Sequence, residues 1–417
     1  MKRIMTSAVL MGALISLSWP VSSPRLAWKF EGPANPDYEW VTMTAAGGGS
    51  VFTIRKGKTW DFSTENGAFK ETGSEILALD LSTGQKRWSY PTQFPVLSPL
   101  LFFESKLIIH DGYGNIFCLN ASTGTEIWKV SRELHPGPWT EVTLPAGGNG
   151  KIFLREGNEL VSRGLKDGKI LWQTPIEAAS NRRVFPALSG SKIVLSTAGD
   201  EALGFNAEDG RILWKNKLGW MKETIISAEK YAFVSNDDLF KCVALADGKD
   251  VWTYNPPPLK SAPDKSGEQN RIVEPIWNLE NAAPLAASGD RIYLIQKRVA
   301  GPQNSPVGYE IACLNIIDKR PIWTYSLAEK FSGFSLAGRW GIIVQGSRVM
   351  LLRLAEGTVA WEFPVPGEER LQGQALATDG KILVVGSKGL YVIETGDPSI
   401  SGWLQCEGGA SRSGRGE

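Results

Sequence analysis

Tryptophan recurs through this chain at intervals of about 40 residues, and that period restricts the possible folds more than any other feature. Trp88, Trp128, Trp172, Trp214, Trp252, Trp323 and Trp361 each close a short motif, at spacings of 40, 44, 42, 38, 71 and 38 residues. The clearest copy reads Ala78-Leu79-Asp80-Leu81-Ser82-Thr83-Gly84-Gln85-Lys86-Arg87-Trp88. The next runs from Cys118 through Asn120, Thr123 and Gly124 to Trp128. Looser copies keep glycine four residues ahead of tryptophan, as Asp167-Gly168, Asp209-Gly210, Asp247-Gly248 and Glu356-Gly357, while the copy ending at Trp323 carries Asp318-Lys319. Apolar alternation before the glycine describes a strand, and the Asp/Thr-Gly pair describes a tight turn whose glycine takes positive φ. The tryptophan then lies on the returning strand, where it packs against a neighbouring repeat.

Two further β-rich runs precede each hairpin: 95–103 and 107–110 in the second repeat, 142–144 and 152–154 in the third, 184–188 and 193–196 in the fourth. Four strands in about 40 residues make a propeller blade, and the runs lack the 3.6-residue period of helical arrays. The last period, with runs at 371–377, 381–385 and 390–394, stops without a hairpin tryptophan, whereas Leu26-Ala27-Trp28-Lys29-Phe30 is a lone tryptophan strand with no hairpin before it. The orphan strand supplies what the last blade lacks and closes the ring, which removes open sheet edges. Counting Trp28, the expected fold is all-β: one eight-bladed propeller of four-stranded blades over residues 24–395, then a Gly/Ser-rich tail over 396–417.

Residues 1–23 stand apart. Lys2 and Arg3, an apolar stretch from Ile4 to Leu17, and small residues through Ser23 have the order of a secretory signal peptide. The apolar run is too short for a membrane span of about 20 residues, and no Cys lies at 16–24 to carry a lipid. Export to the periplasm or cell surface is expected, with no transmembrane segment once the signal is removed. The net charge is +1, from 45 Lys+Arg against 44 Asp+Glu, so no strong field draws nucleic acid. Only 2 His accompany 16 Trp, which leaves little room for imidazole-based catalysis or metal binding.

The string Ala-x-Asp-x-x-Thr-Gly-x-x-x-Trp at 78–88 resembles the tryptophan-docking repeat of the PQQ-like (quinoprotein) β-propellers, and the resemblance runs from about Leu26 to Glu394. The end segment Gly402-Trp403-Leu404-Gln405-Cys406-Glu407-Gly408 also resembles the Trp-containing, Gly-rich end found on some of these propellers. The resemblance implies the propeller fold. It covers calcium- and PQQ-dependent dehydrogenases as well as non-catalytic scaffolds such as the outer-membrane-assembly lipoprotein. Neither the vicinal Cys-Cys pair that some PQQ dehydrogenases carry nor a haem-attachment Cys-x-x-Cys-His occurs, and no residue maps onto a PQQ or calcium ligand.

The eight periodic residues Trp28, Trp88, Trp128, Trp172, Trp214, Trp252, Trp323 and Trp361 read as inter-blade packing, because each holds the same place in its repeat. Cys118, Cys242 and Cys313 each lie ten residues before their tryptophan. On different blades they are too far apart for a disulfide and read as small buried side chains; Cys406 has no evident partner. His110 and His135 read as loop residues, and Asp167, Asp209, Asp247 and Glu356 as turn formers. No catalytic, cofactor or metal residue emerges.

The departures from the period are where function is expected. With strands lettered A to D from the axis outward, insertions at 56–73 (blade 1, B–C), 255–281 (between blades 5 and 6) and 298–308 (blade 6, B–C) all fall on the face of the B–C loops and D-to-A connections. They carry Trp60, Phe62 and Phe69, then Arg271, Glu274 and Trp277, a mixture suited to a protein, peptide or glycan partner. Folding of Trp60 and Trp277 back onto the propeller explains them equally well. The expected function is a monomeric, exported, non-enzymatic binding or scaffold protein with no cofactor. The alternative is a PQQ- and calcium-dependent oxidoreductase of the alcohol or sugar dehydrogenase type.

Overall fold

The computed structural model describes residues 23–403 except 32–37, 41–42, 58–72, 97, 112, 132–144, 177–185, 197–200, 218–220, 229, 237–239, 255–285, 301–304 and 330. Every element among them is a strand, and the strands form eight antiparallel sheets. Blade 3 shows the plain pattern: A is Ala146–Gly148, B Lys151–Glu156, C Glu159–Gly164 and D Ile170–Pro175. Blade 8 is completed from the other end of the chain, as expected. Its strands Leu371–Thr378, Lys381–Gly386 and Leu390–Glu394 are joined by Arg25–Phe30, with Trp28 opposite Val392. Neighbouring A strands touch around the ring, including those of blades 8 and 1.

The tryptophan motif works through three linked devices. In the C–D turn of blade 1 the Asp80 carboxylate accepts the Ser82 and Thr83 N–H groups, while Gly84 N–H closes on the Asp80 carbonyl at 2.8 Å with φ of 72°. The absence of a side chain at Gly84 lets the Trp28 ring lie flat on the turn, since a Cβ there would stand 2.7 Å from the indole. The Trp28 N–H then donates to the Leu81 carbonyl at 2.9 Å. Trp88, Trp128, Trp172, Trp214, Trp252 and Trp323 repeat that bond to Ala121, Leu165, Ala207, Leu245, Ile316 and Leu354 of the following blades, at 2.7 to 3.1 Å. Burying an indole contributes a few kcal/mol at each seam.

The third device is invisible in a motif string. In all eight blades the residue just before the tryptophan is a β-bulge: in blade 2, Trp128 pairs with Cys118 and Glu126 with Leu119, which leaves Ile127 unpaired. The extra residue rotates the strand so that the indole is aimed at the next blade, and it disrupts the outer edge of the sheet. Opposite the indole the C strand carries a small residue in blades 1 to 6, and at Gly204 a Cβ would sit 2.1 Å from Trp214. Cys118, Cys242 and Cys313 fill this position as buried free thiols, whose ionisation burial pushes up to about 12.

The inner strands differ from expectation. In blade 2 the A strand is Leu101–Phe103, not 95–103, and Val96 forms only an isolated bridge to Asp111. In blade 4 it is Ala187–Ser189, and 184–185 of the expected run at 184–188 lie outside the described residues. In blade 3 it is Ala146–Gly148, whereas the expected run at 142–144 lies outside the described residues. Crowding near the axis explains the shift: a Cβ on Gly147 would stand 2.9 Å from Phe103, and one on Gly148 2.2 Å from Leu188. The innermost strands of blades 1, 3 and 6 therefore consist of Ala, Gly and Ser, and bulky residues of neighbouring A strands, such as Phe103 and Leu188, pack over the glycines of blade 3. The core is divided into layers between blades, and one continuous layer joins residues of blades 6, 7, 8 and 1.

Candidate partner-binding face

Strand B of each blade is apolar until it reaches the B–C face. Three residues past the position opposite the motif residue (Phe52 opposite Ala78 in blade 1), the register brings up Arg55, Asp111, Glu156, Asn236, Gln296, Gln345 and Gly386 in blades 1 to 3 and 5 to 8. Arg55, Asp111, Glu156 and Gln345 are buried there. In blades 1, 2, 3 and 7 a tier of buried polar groups thus lies at this end of strand B, visible only after the repeats are aligned on that strand.

Polar contacts at this level brace the stems of the B–C loops and, in blade 1, tie them to the D-to-A connection. In blade 1, Arg55 pairs with Glu75 at 3.1 Å, and Ser74 N–H donates to Thr92 Oγ1 at 2.9 Å. Val96 N–H donates to Ser74 Oγ at 2.9 Å. The short strand Tyr38–Trp40 pairs with the upper part of Ser50–Gly57, alongside Ala45–Gly47. The first insertion therefore rises from stems fixed on both sides. His110 is the last residue of strand Lys106–His110 rather than part of a loop. It is buried, with Nδ1 3.3 Å from Ser98 Oγ. Next to it, Asp111 accepts Tyr113 N–H and Asn115 N–H and Nδ2–H; burial still raises its pKa above the usual carboxylate value.

In blade 8 Gly386 leaves room for a carboxylate from the preceding connection. Glu368 accepts Ser387 N–H and Oγ–H, Lys388 N–H, and the Tyr391 hydroxyl at 2.7 Å. Burial pushes its pKa up, but those donors, Tyr391 foremost, outweigh burial and hold it below the ordinary carboxylate value. A depressed folded pKa means that the contact stabilises fully above the unfolded carboxylate pKa near about 4.3 and is lost as pH falls through the folded value. Thermal melting of Glu368→Gln between neutral and acidic pH is therefore expected to show a flatter pH dependence than the parent, with a neutral-pH melting temperature lower by a few degrees.

The insertion at 298–308 is not a separate loop. Strands Arg291–Ala300 and Ser305–Asn315 continue through it, pairing as far as Ala300 with Ser305 across a bulge at Arg298/Val299. Strand D joins this hairpin only up to Tyr309 opposite Leu327, so a two-stranded arm projects from the face. Polar residues there remain β-paired, which is why composition alone made the segment look like a loop. Trp60, Phe62, Phe69, Arg271, Glu274 and Trp277 lie outside the described residues, as do His135, Cys406 and all but the last residue of the expected signal peptide at 1–23. Of the turn formers, Asp167, Asp209 and Asp247 accept N–H from the residue two positions on, as expected. Among the described residues no three His, Cys, Asp or Glu side chains gather in one place.

A family model described as "Outer membrane protein assembly factor BamB" matches residues 26–254 and 180–333. The chain belongs to this family. Two curated relatives of this BamB-type chain are a tetrathionate hydrolase of Acidithiobacillus ferrooxidans, 25% identical over 44% of the chain and 41% of the relative, and BamB of Yersinia pestis, 22% identical over 46% and 52%. The matches thus span about half the length of those relatives. Among solved structures, BamB from Moraxella catarrhalis superposes with a TM-score of 0.57 at 10% identity, covering 89% of the chain and 98% of that protein. The quinohemoprotein alcohol dehydrogenase ADHIIG from Pseudomonas putida HK5 gives 0.61 at 13%, covering 89% and 76%. At such identities the BamB-type chain shares a fold with both.

Proposed function

We propose that this protein is an exported scaffold that holds a protein partner on its B–C face. The observation that carries the proposal is the construction of that face. Polar staples fix the stems of the first insertion at Ser74, Thr92 and Arg55, and blade 6 raises a hairpin arm from the same side. Preorganised stems lower the ordering cost of binding, and Trp60, Phe62, Phe69, Arg271 and Trp277, beside the acidic Glu274, supply the aromatic and arginine anchors typical of protein contacts. Membership of a family described as an assembly factor supports a binding role. The oxidoreductase reading rests on the likeness to ADHIIG.

A photo-reactive residue placed at Trp60 or Trp277 in the native host is expected to give discrete adducts with the same protein, while one placed at Ser82 or Thr123 in the C–D turns gives none. Adducts equal on both faces would overturn the reading. So would stoichiometric uptake of PQQ with calcium accompanied by dye-linked alcohol or sugar oxidation.

A further inference from the structure

The docking pattern fails at one seam. The Trp361 indole N–H of blade 7 is buried and has no acceptor among the described residues. Elsewhere the acceptor is the first residue of the following C–D turn, such as Leu81. The register of Val392 opposite Trp28 puts Thr395 in that place in blade 8. There the chain makes no turn into a D strand, because the N-terminus supplies that strand, and it departs through Gly396 instead.

Residues 397–403, which the sequence assigned to the tail, run from this point inward along the C–D face. The Asp397 carboxylate accepts the Trp340 indole N–H at 3.1 Å and the Arg339 guanidinium at 3.3 Å, both on blade 7. The Ile400 carbonyl accepts Gly380 N–H in the A–B turn of blade 8 at 3.0 Å. Trp403 exchanges both backbone hydrogen bonds with Ala377, at 2.7 and 3.1 Å. Ala377 lies on the innermost strand, whose other side pairs with Lys381–Gly386, so Trp403 occupies the free edge toward the axis. Ile400 and Trp403 are fully buried and belong to the layer that joins blades 6, 7, 8 and 1.

We propose that residues 397–403 form a clasp that substitutes for the absent eighth docking turn and holds blade 8 against blade 7. Asp397 replaces the turn carbonyl as acceptor for a blade 7 indole, Trp340 in place of Trp361, and Trp403 seals the inner edge. The Trp403 indole N–H has no partner among the described residues, so the Trp403 side chain itself is retained by apolar packing, beside its two backbone bonds to Ala377. Its release opens the single seam between blades 7 and 8 while Trp28 keeps blade 8 docked on blade 1, which makes this seam the place where the ring opens.

Amide hydrogen exchange on the full-length protein tests this. Trp403→Ala is expected to speed exchange about tenfold in strands Gly333–Ala337, Leu371–Thr378 and Arg25–Phe30, leaving blades 2 to 4 at the parent rate. Exchange rising equally around the ring, or not rising in blade 8, would overturn the proposal. Asp397→Asn keeps Trp403 and serves if Trp403→Ala fails to fold. It is expected to speed exchange about threefold at the blade 7 A–B turn around Arg339, and no change there would also overturn the proposal.

Discussion

Trp128→Ala is expected to cost about 3–5 kcal/mol of folding stability, read from urea unfolding monitored by far-UV circular dichroism. Trp128 is 9% exposed, its N–H donates to Leu165 at 3.0 Å in a buried setting, and its ring covers Gly168. Truncation therefore removes a large apolar surface and leaves both a cavity and an orphaned carbonyl. The comparison that isolates the hydrogen bond uses phenylalanine. Trp128→Phe loses the bond, worth about 1 kcal/mol, beyond the change in ring size. Trp361→Phe removes an N–H that has no acceptor among the described residues and should cost less by about that amount. Equal costs at the two sites would show that the docking bond contributes nothing to the seam.

Gly124→Ala is expected to cost about 2–4 kcal/mol by the same measurement. Gly124 has φ of 73°, and a Cβ there would stand 2.6 Å from the Trp88 ring. Left-handed backbone costs a non-glycine residue about 1–2 kcal/mol, and forcing a methyl into a packed contact adds about 1–3. Blade 6 shows that the position tolerates a side chain at a strain. Lys319 holds φ of 60° there, closes the same turn on Asn315, and leaves Trp252 bonded to Ile316 at 2.7 Å. A loss below about 1 kcal/mol at Gly124 would mean that every turn adjusts as the Lys319 turn has, and that glycine is a convenience of the motif.

The features legible in the sequence are those with a rigid local demand. A docked indole needs a glycine turn four residues earlier and a small residue ten earlier, so the Trp, Gly and Cys positions carried blade count, phase and ring closure. Features set by neighbours in space were not legible. The glycines of the blade 3 A strand answer to Phe103 and Leu188, which crowd Gly147 and Gly148 across the seams, a pressure no local pattern records. The polar tier of Arg55, Asp111, Glu156 and Gln345 emerged only from the pairing register. His110 read as a loop residue because its partner, Ser98, lies on the connection from the preceding blade. The clasp hid behind glycine and serine, which resemble a free tail unless Trp403 is seen to be buried.

Closure by the first strand also governs when the fold can be finished. Blades 1 to 7 each assemble from one uninterrupted stretch of chain, so they can form in order as the polypeptide emerges. Blade 8 joins Trp28 to Val392, residues separated by nearly the whole chain, and such distant contacts form late because the intervening loop must first be closed. Until then the last three strands present an unpaired outer edge, a template for a strand from another molecule. The interval between synthesis of the C-terminus and return of the N-terminal strand is therefore when this protein is most exposed to strand exchange with another copy of itself.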